Sequence, residues 1–235
     1  MKYVVMNLEA EKMSFGYNSN AGTRYTTDFP TKSVLFGMLC CAMGKKGVLT
    51  ETFGKLRKIK MESFAMSESQ VETDFQTIGT GWEDSKMGFI DKNTGKFINI
   101  SEEMVEHRID GSKSSTCTSL IDKDYLVNQR FIVLLEIEDD AFAEKIAESL
   151  KRPVWQMYVG RKKCVPCGRV FYGIFDSKEN AMNVIDGMNP LYKFTEEEPD
   201  EYIDEMNVRD VPTTEFNKYD TYTHRRVYKC EYKAC

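Results

Sequence analysis

Histidine is almost missing from this chain: two of 235 residues, His107 and His224, far apart and in no ligand-like or triad-like pattern. Catalysis by a Ser-His or Cys-His pair therefore has no obvious candidate. Long hydrophobic runs are missing too. The longest, Val34 to Met43, sits between charged segments and falls well short of the ~18 apolar residues that a membrane span needs. The first residues, Met1 to Glu9, lack the apolar length and small-residue cleavage site of a secretion signal, so they read as a first strand and point to the cytoplasm with no membrane partner. No disulfide framework is apparent, because the seven cysteines are odd in number and include the adjacent pair Cys40-Cys41 inside an apolar run. The glycine and lysine spacing of a phosphate-binding P-loop is also lacking, which argues against nucleotide hydrolysis. An excess of basic charge is the last absence, the formal net charge being −5.

What is present is ample material for a core. With 41% apolar and 12% aromatic residues, 235 residues can bury one large core or two small ones. Tyr3 to Leu8 reads as a buried strand, Thr31 to Met43 as a mostly buried helix with proline before it and glycine after, and Lys58 to Met66 as a strand with an irregularity near Ser63. Phe131 to Glu138 is the clearest strand, Asp140 to Leu150 a helix with an acidic opening, and Val154 to Val159 a further strand. The order is β-α-β followed by β-α-β, a ferredoxin-like α+β arrangement. Residues 1–78 and 124–160 would form this core. Between them, residues 79–123 carry little periodic apolar content but have a plausible hairpin turn at Asp91 to Gly95, so they read as a projecting insertion. Residues 161–235, with strand-like Val170 to Phe175 and Arg225 to Tyr232 around a helix-like Ser177 to Met188, read as a β-rich C-terminal elaboration or small subdomain.

The net charge misleads, because charge acts locally over a Debye length of ~10 Å. From Lys151 to Arg169 there are six cations and no acid, and from Gly22 to Lys60 eight cations against Asp28 and Glu51, while seven acids crowd into Glu196 to Glu205. In the first tract, Gly160 leads straight into Arg161, Lys162, Lys163 and Cys164. Glycine lets backbone approach a ligand closely, and consecutive cations suit a phosphodiester chain. In the second, Arg24 and Tyr25 precede Thr31, Lys32 and Ser33 at a helix start, where backbone N–H groups and the helix dipole favour an anion. Cys164 and Cys167 have the spacing of half a zinc site, which Cys230 and Cys235 would have to complete. Those two are separated by four residues, the edge of the usual range, so buried or incidental thiols are the preferred reading and no metal or cofactor is expected.

Five segments, in order along the chain, carry a family resemblance. Arg24-Tyr25-Thr26-Thr27-Asp28-Phe29-Pro30-Thr31-Lys32-Ser33-Val34-Leu35-Phe36-Gly37-Met38-Leu39 with Ala42-Met43-Gly44 resembles the opening signature of the CRISPR-associated CasD subunit, the fifth Cas family, of type I-E Cascade. Asp74 to Thr77, Tyr125 to Phe131, Tyr158 to Cys164, and Asp210-Val211-Pro212 with His224 to Tyr228 agree as well, whereas the glycine and proline pattern usual near the start is reduced to Leu8-Glu9 and Ser14-Phe15-Gly16. The resemblance implies a repeat-associated (RAMP) protein with an RRM-related ferredoxin-like core, an inserted thumb hairpin, and a role in holding the 5′ handle of the crRNA. It implies a CasC-type backbone subunit and a CasA-type large subunit as neighbours, with target DNA met indirectly through the complex. Arg24, Lys32, Ser33 and Arg161 to Lys163 would then hold the handle, with Tyr25 and Arg130 beside them. It also leaves two alternatives. One is a metal-independent repeat endoribonuclease of the type I-C kind, using His107 with Lys113 or Tyr25 with Lys32; the other, which rests on the terminal Cys230 and Cys235, is the Cascade part of a fusion to an HNH-type nuclease.

Overall fold

The structure, a computed structural model, describes residues 1–17, 23–47, 49–79, 88–90, 97–99, 118–213 and 222–233. Its centre is β1 (Lys2–Glu9), buried on both faces, which explains why the segment reads as a nearly continuous apolar run. β1 pairs antiparallel with β10 (Arg130–Ile137) on one side and β11 (Phe171–Phe175) on the other, and β10 pairs antiparallel with β5 (Lys60–Ala65). The resulting order β11-β1-β10-β5 is the 4-1-3-2 order of a ferredoxin-like sheet. Helices α1 (Lys32–Ala42) and α3 (Asp140–Lys151) cover one face, where Leu35, Leu39, Phe142 and Ile146 meet Val4, Met6, Val133 and Leu135. A short α2 (Thr50–Leu56) adds Phe53 and Leu56 to this core. The alternate residues Tyr3, Val5, Ile132 and Leu134 face the other way and pack on Ala181 and Ile185 of α4 (Lys178–Asp186).

That second layer bears on function. An RRM stacks RNA bases on the open face of such a sheet, and here α4 occupies that face.

The fourth core strand differs from expectation. Val154 to Val159 is not a strand, because the Val154 and Trp155 N–H groups donate to Ala42 and Cys41 carbonyls at the C-terminus of α1 (3.0 and 3.2 Å). They satisfy helix-end carbonyls that lack intrahelical partners, and the segment lies along α1. Phe171–Phe175 takes the edge position instead, so β11 belongs to the main sheet and α4 packs on its face, although both fall within the range 161–235 expected to be an elaboration. The irregularity expected at Ser63 is absent: this residue is paired continuously with Val133 and Phe194. A register shift occurs in β1 between Val5 and Met6.

Three C-terminal strands extend the same sheet beyond β5: β12 (Tyr192–Thr195), then β14 (Tyr222–Glu231), then β13 (Asp204–Pro212). A second sheet joins β2 (Lys12–Met13), β9 (Thr118–Val127), β4 (Thr23–Thr26) and β3 (Gly16–Tyr17), with β6 (Gln70–Gly79) on β9. β6 and β9 stay in antiparallel register from Gln70↔Val127 to Gly79↔Thr118, forming two arms that lead into the insertion. Within it, β7 (Gly88–Ile90) pairs antiparallel with β8 (Phe97–Asn99) on either side of the expected turn. The turn itself, Asp91 to Gly95, and the greater part of the thumb lie outside the described residues, as do His107, Lys113 and Cys235.

Candidate nucleic-acid interface

The segment from Gly160 to Cys164 forms a closed loop. The Val159 N–H donates to Cys164 O and the Cys164 N–H to Arg161 O, both at 2.8 Å, while the Ser14 N–H holds Val159 O at 3.1 Å. Gly160 sits at φ +103°, and a Cβ there would lie 1.8 Å from the Ser14 carbonyl oxygen. Only glycine fits a position that demands both this backbone angle and this proximity. The loop therefore lies flat on the 13–16 segment and faces α1 across a cleft of about 390 Å³.

Arg24, Ser33, Gly37, Tyr158, Gly160 and Arg161 all contribute to the cleft wall, and among the described residues no acidic side chain does. Gly16 and Gly37 keep it open, since a Cβ on either would meet nothing within 4 Å. Ser14 also lines it, its hydroxyl buried and without a hydrogen-bond partner among the described residues. A buried polar group without a partner is a cost that a bound ligand can offset. Arg24 projects from β4, exposed and with no ion pair among the described residues, and its carbonyl accepts from Arg161 of the loop.

Arg161 and Lys163 serve a different purpose from that expected. Arg161 donates to the Asp124 and Arg24 carbonyls (3.1 and 3.0 Å) and lies 4.6 Å above the Tyr125 ring. It thus staples β4 and β9 to the loop. Lys163 lies 4.2 Å above the same ring and is paired with Asp74. That hydrogen-bonded pair holds the Asp74 carboxyl below its ordinary range and raises the Lys163 ammonium. Tyr125, 1% exposed, is the shared platform for both cations. Lys162 stays exposed with no partner among the described residues.

At the helix start, the expected anion site is filled by the protein itself. The Lys32 N–H donates to Asp210 Oδ2 at 2.7 Å, so a carboxylate of β13 already occupies the N-terminus of α1. Arg225 of β14 grips that carboxylate with two hydrogen bonds of 2.8 Å and reaches Glu196 at 3.3 Å. The Lys32 side chain turns inward to the same Glu196 (2.7 Å) and is only 5% exposed. Lys32 cannot meet an external phosphate from there, and it is removed from the surface that Tyr25 shares. Thr31 is buried, its hydroxyl 3.2 Å from that of Ser33, and Phe29 packs on Phe194. Much of the Arg24 to Ser33 segment is thus scaffold, with Arg24 and Ser33 reaching the cleft and Tyr25 exposed beside Arg24. Arg130 lies apart, at the start of β10, bonded through Nε to Asn7 Oδ1 (2.7 Å) and near Glu9. Asp210, Glu196, Arg225 and Tyr125 were missed as structural partners because their roles depend on contacts far away in sequence.

Cys164 is fully buried and its thiol is raised by desolvation, whereas Cys167 is exposed. Among the described residues no three His, Cys, Asp or Glu side chains converge as a metal site. Burial also raises Cys41 and pushes Cys40 up to about 12. Only thiolates alkylate, so iodoacetamide at neutral pH should label Cys167 in the folded protein and Cys40 and Cys164 only after denaturation. Peptide mass spectrometry reads the order.

The family model described as CRISPR-associated protein (Cas_Cas5) matches residues 3–228. Among solved structures, a chain titled "CRISPR RNA-guided surveillance complex" superimposes with TM-score 0.68 at 20% identity, covering 97% of this chain and 89% of that one. A second, titled "Crystal structure of Cas protein", gives TM-score 0.62 at 17% identity over 99% of this chain and 95% of the other. At these identities the likeness is one of fold. Among the curated proteins none matches the chain in sequence. The family model spans nearly the whole chain, both sheets and the cleft included, and the chain belongs to the Cas_Cas5d family of CRISPR-associated proteins.

Proposed function

We propose that this chain is the non-catalytic crRNA-binding subunit of a type I Cascade surveillance complex, and that it holds the 5′ handle of the crRNA in the cleft between α1 and the Gly160 to Cys164 loop. A CasC-type backbone subunit and a CasA-type large subunit are its neighbours, and it meets target DNA through them. The observation that carries this reading is the cleft: among the described residues no acid lines it and Arg24 at its edge has no ion pair, two glycines leave it open, and one wall is a loop with close-approach backbone. Single-stranded RNA presents phosphates and 2′-hydroxyls that suit guanidinium, hydroxyl and backbone N–H groups. The sheet face that an RRM would use is covered by α4, which leaves this cleft as the better surface. Burial of Lys32 against Glu196 takes away one of the two pairs considered for RNA cleavage.

Fluorescence anisotropy with labelled handle RNA and a scrambled control, with and without the CasC-type subunit, tests the site. Arg24→Ala removes one charge-assisted contact, so handle affinity should fall about tenfold. The slope of log K against log salt should drop by about 0.7. Gly37→Leu should fill the cleft and abolish handle preference while leaving the melting temperature unchanged or higher, because leucine is the better helix former. Wild-type affinity in both variants would remove the cleft from consideration. Incubation with end-labelled repeat RNA in EDTA should give no discrete product; a product lost on His107→Ala would establish the endoribonuclease instead.

A further inference from the structure

The basic tract that extends from Lys151 to Arg169 builds a second cleft, larger than the first at about 830 Å³. Residues Arg152 to Met157 line it, whereas Tyr158, Gly160 and Arg161, further along the same segment, line the first cleft. Lys151, Arg152 and Arg169 line the second cleft, and among the described residues no acidic side chain does. Lys151 is committed, being paired with Glu148 at 3.4 Å and held 5.1 Å over the Phe171 ring. Arg152 and Arg169 are exposed and have no ion pair among the described residues.

Two large aromatic side chains open onto the same space. Trp155 is 41% exposed and Tyr172 46% exposed, and both line the cleft. Their backbones are fixed. Trp155 and Val154 are hydrogen-bonded to the end of α1, and the Val154 side chain is packed against Gly44, where a Cβ would come within 3.0 Å of Cγ1. Tyr172 stands in β11, the edge strand of the main sheet. Rigid exposed aromatics beside unpaired guanidinium groups are the elements of a stacking platform for single-stranded nucleic acid, in which every base offers a ring face and every linkage a charge.

We infer that this second cleft binds a stretch of single-stranded nucleic acid, with a base stacked on Trp155 and adjacent phosphates held by Arg152 and Arg169. Guide RNA and target DNA share that chemistry. The inference is independent of the first cleft, since it uses none of Arg24, Ser33, Gly37 or Ser14.

The chain has two tryptophans, Trp82 and Trp155, so a Trp82→Phe background leaves Trp155 as the single reporter. Titration of that protein with oligouridylate and with oligodeoxythymidylate should quench Trp155 emission to saturation. Quenching by RNA alone assigns the cleft to the guide, by DNA alone to the target, and by both to either strand. Replacing Arg152 and Arg169 by alanine should weaken the quenching isotherm about tenfold and lower its salt slope by about 1.4, two phosphate contacts on a single strand. By anisotropy, Trp155→Ala should cost about tenfold in affinity while Trp155→Phe, which keeps a ring, retains most of it. Arg24→Ala should leave the Trp155 quench intact, which separates failure at the first cleft from failure here. Oligonucleotide binding with unchanged Trp155 emission and no effect of the Arg152 and Arg169 variants would overturn the inference, as would no binding of either oligonucleotide.

Discussion

Gly160→Ala is expected to cost the protein both stability and the shape of the cleft proposed to hold RNA. At φ +103° an alanine carries backbone strain of about 1–3 kcal/mol. The added Cβ would sit 1.8 Å from the Ser14 carbonyl oxygen, a separation that no rotamer relieves because the obstacle is main chain. The loop must lift, and the hydrogen bond from Ser14 N to Val159 O lifts with it. A melting temperature lower by roughly 5–10 °C follows for a chain of this size, together with loss of handle binding well beyond that of Arg24→Ala. Differential scanning calorimetry alongside anisotropy checks both. A Gly168→Ala control, at a glycine whose Cβ would meet nothing within 4 Å, should be nearly silent in stability. Wild-type binding by Gly160→Ala would show that the loop geometry does not define the site.

The second large effect is expected at Asp210. Lys32, Glu196, Asp210 and Arg225 form a neutral group of two cations and two anions that pins the start of α1 to β13 and β14. Removing one member leaves a buried charge uncompensated, which costs about 3–5 kcal/mol. Asp210→Ala should therefore lower stability by that amount, a large share of the total for an ordinary domain, and it also uncaps α1. Asp210→Asn keeps an acceptor for the Lys32 N–H and should fall between alanine and wild type. Because Arg225 loses its two hydrogen bonds to Asp210 in the alanine variant and keeps only the 3.3 Å contact with Glu196, the double variant Asp210→Ala with Arg225→Ala should be less destabilised than the sum of its single variants. Strict additivity in chemical denaturation would mean that the pair is not coupled. RNA binding by the folded fraction should change little, since none of these four side chains lines the cleft.

These two residues also mark how far the sequence could be read. Gly160 before three cations was legible as a close-approach loop, because glycine and charge act where they stand. The role of Lys32 was not. Its partner Glu196 is 164 residues away and the carboxylate that caps its helix 178 residues away, so the same Thr31-Lys32-Ser33 that reads as an anion site becomes an interior joint. Glu196, the first of the seven acids that crowd into Glu196 to Glu205, is one of the two anions of that joint. Arg161 and Lys163 read as free phosphate ligands for the same reason: nothing local announces that Asp74 and the Tyr125 ring will meet them. Val154 to Val159 has the composition of a strand, yet the open carbonyls at the end of α1 claim its first N–H groups. The edge position then passed to Phe171–Phe175.

What the residues determined unaided was the ferredoxin-like α+β class of the fold, with the first three strands of its core, and the concentration of cations in two tracts under a misleading net charge. Those features follow from periodicity, glycine and proline punctuation, and local charge, all of which act over a few residues. Which cations remain available was decided by tertiary structure alone. Folding set Lys32 and Lys163 against carboxylates and Arg161 against backbone carbonyls, and it left Arg24, Arg152, Lys162 and Arg169 without ion pairs among the described residues. A charge is neutralised by whatever lies within a few ångströms of it, and in a folded chain that neighbour is set by packing rather than by position along the sequence.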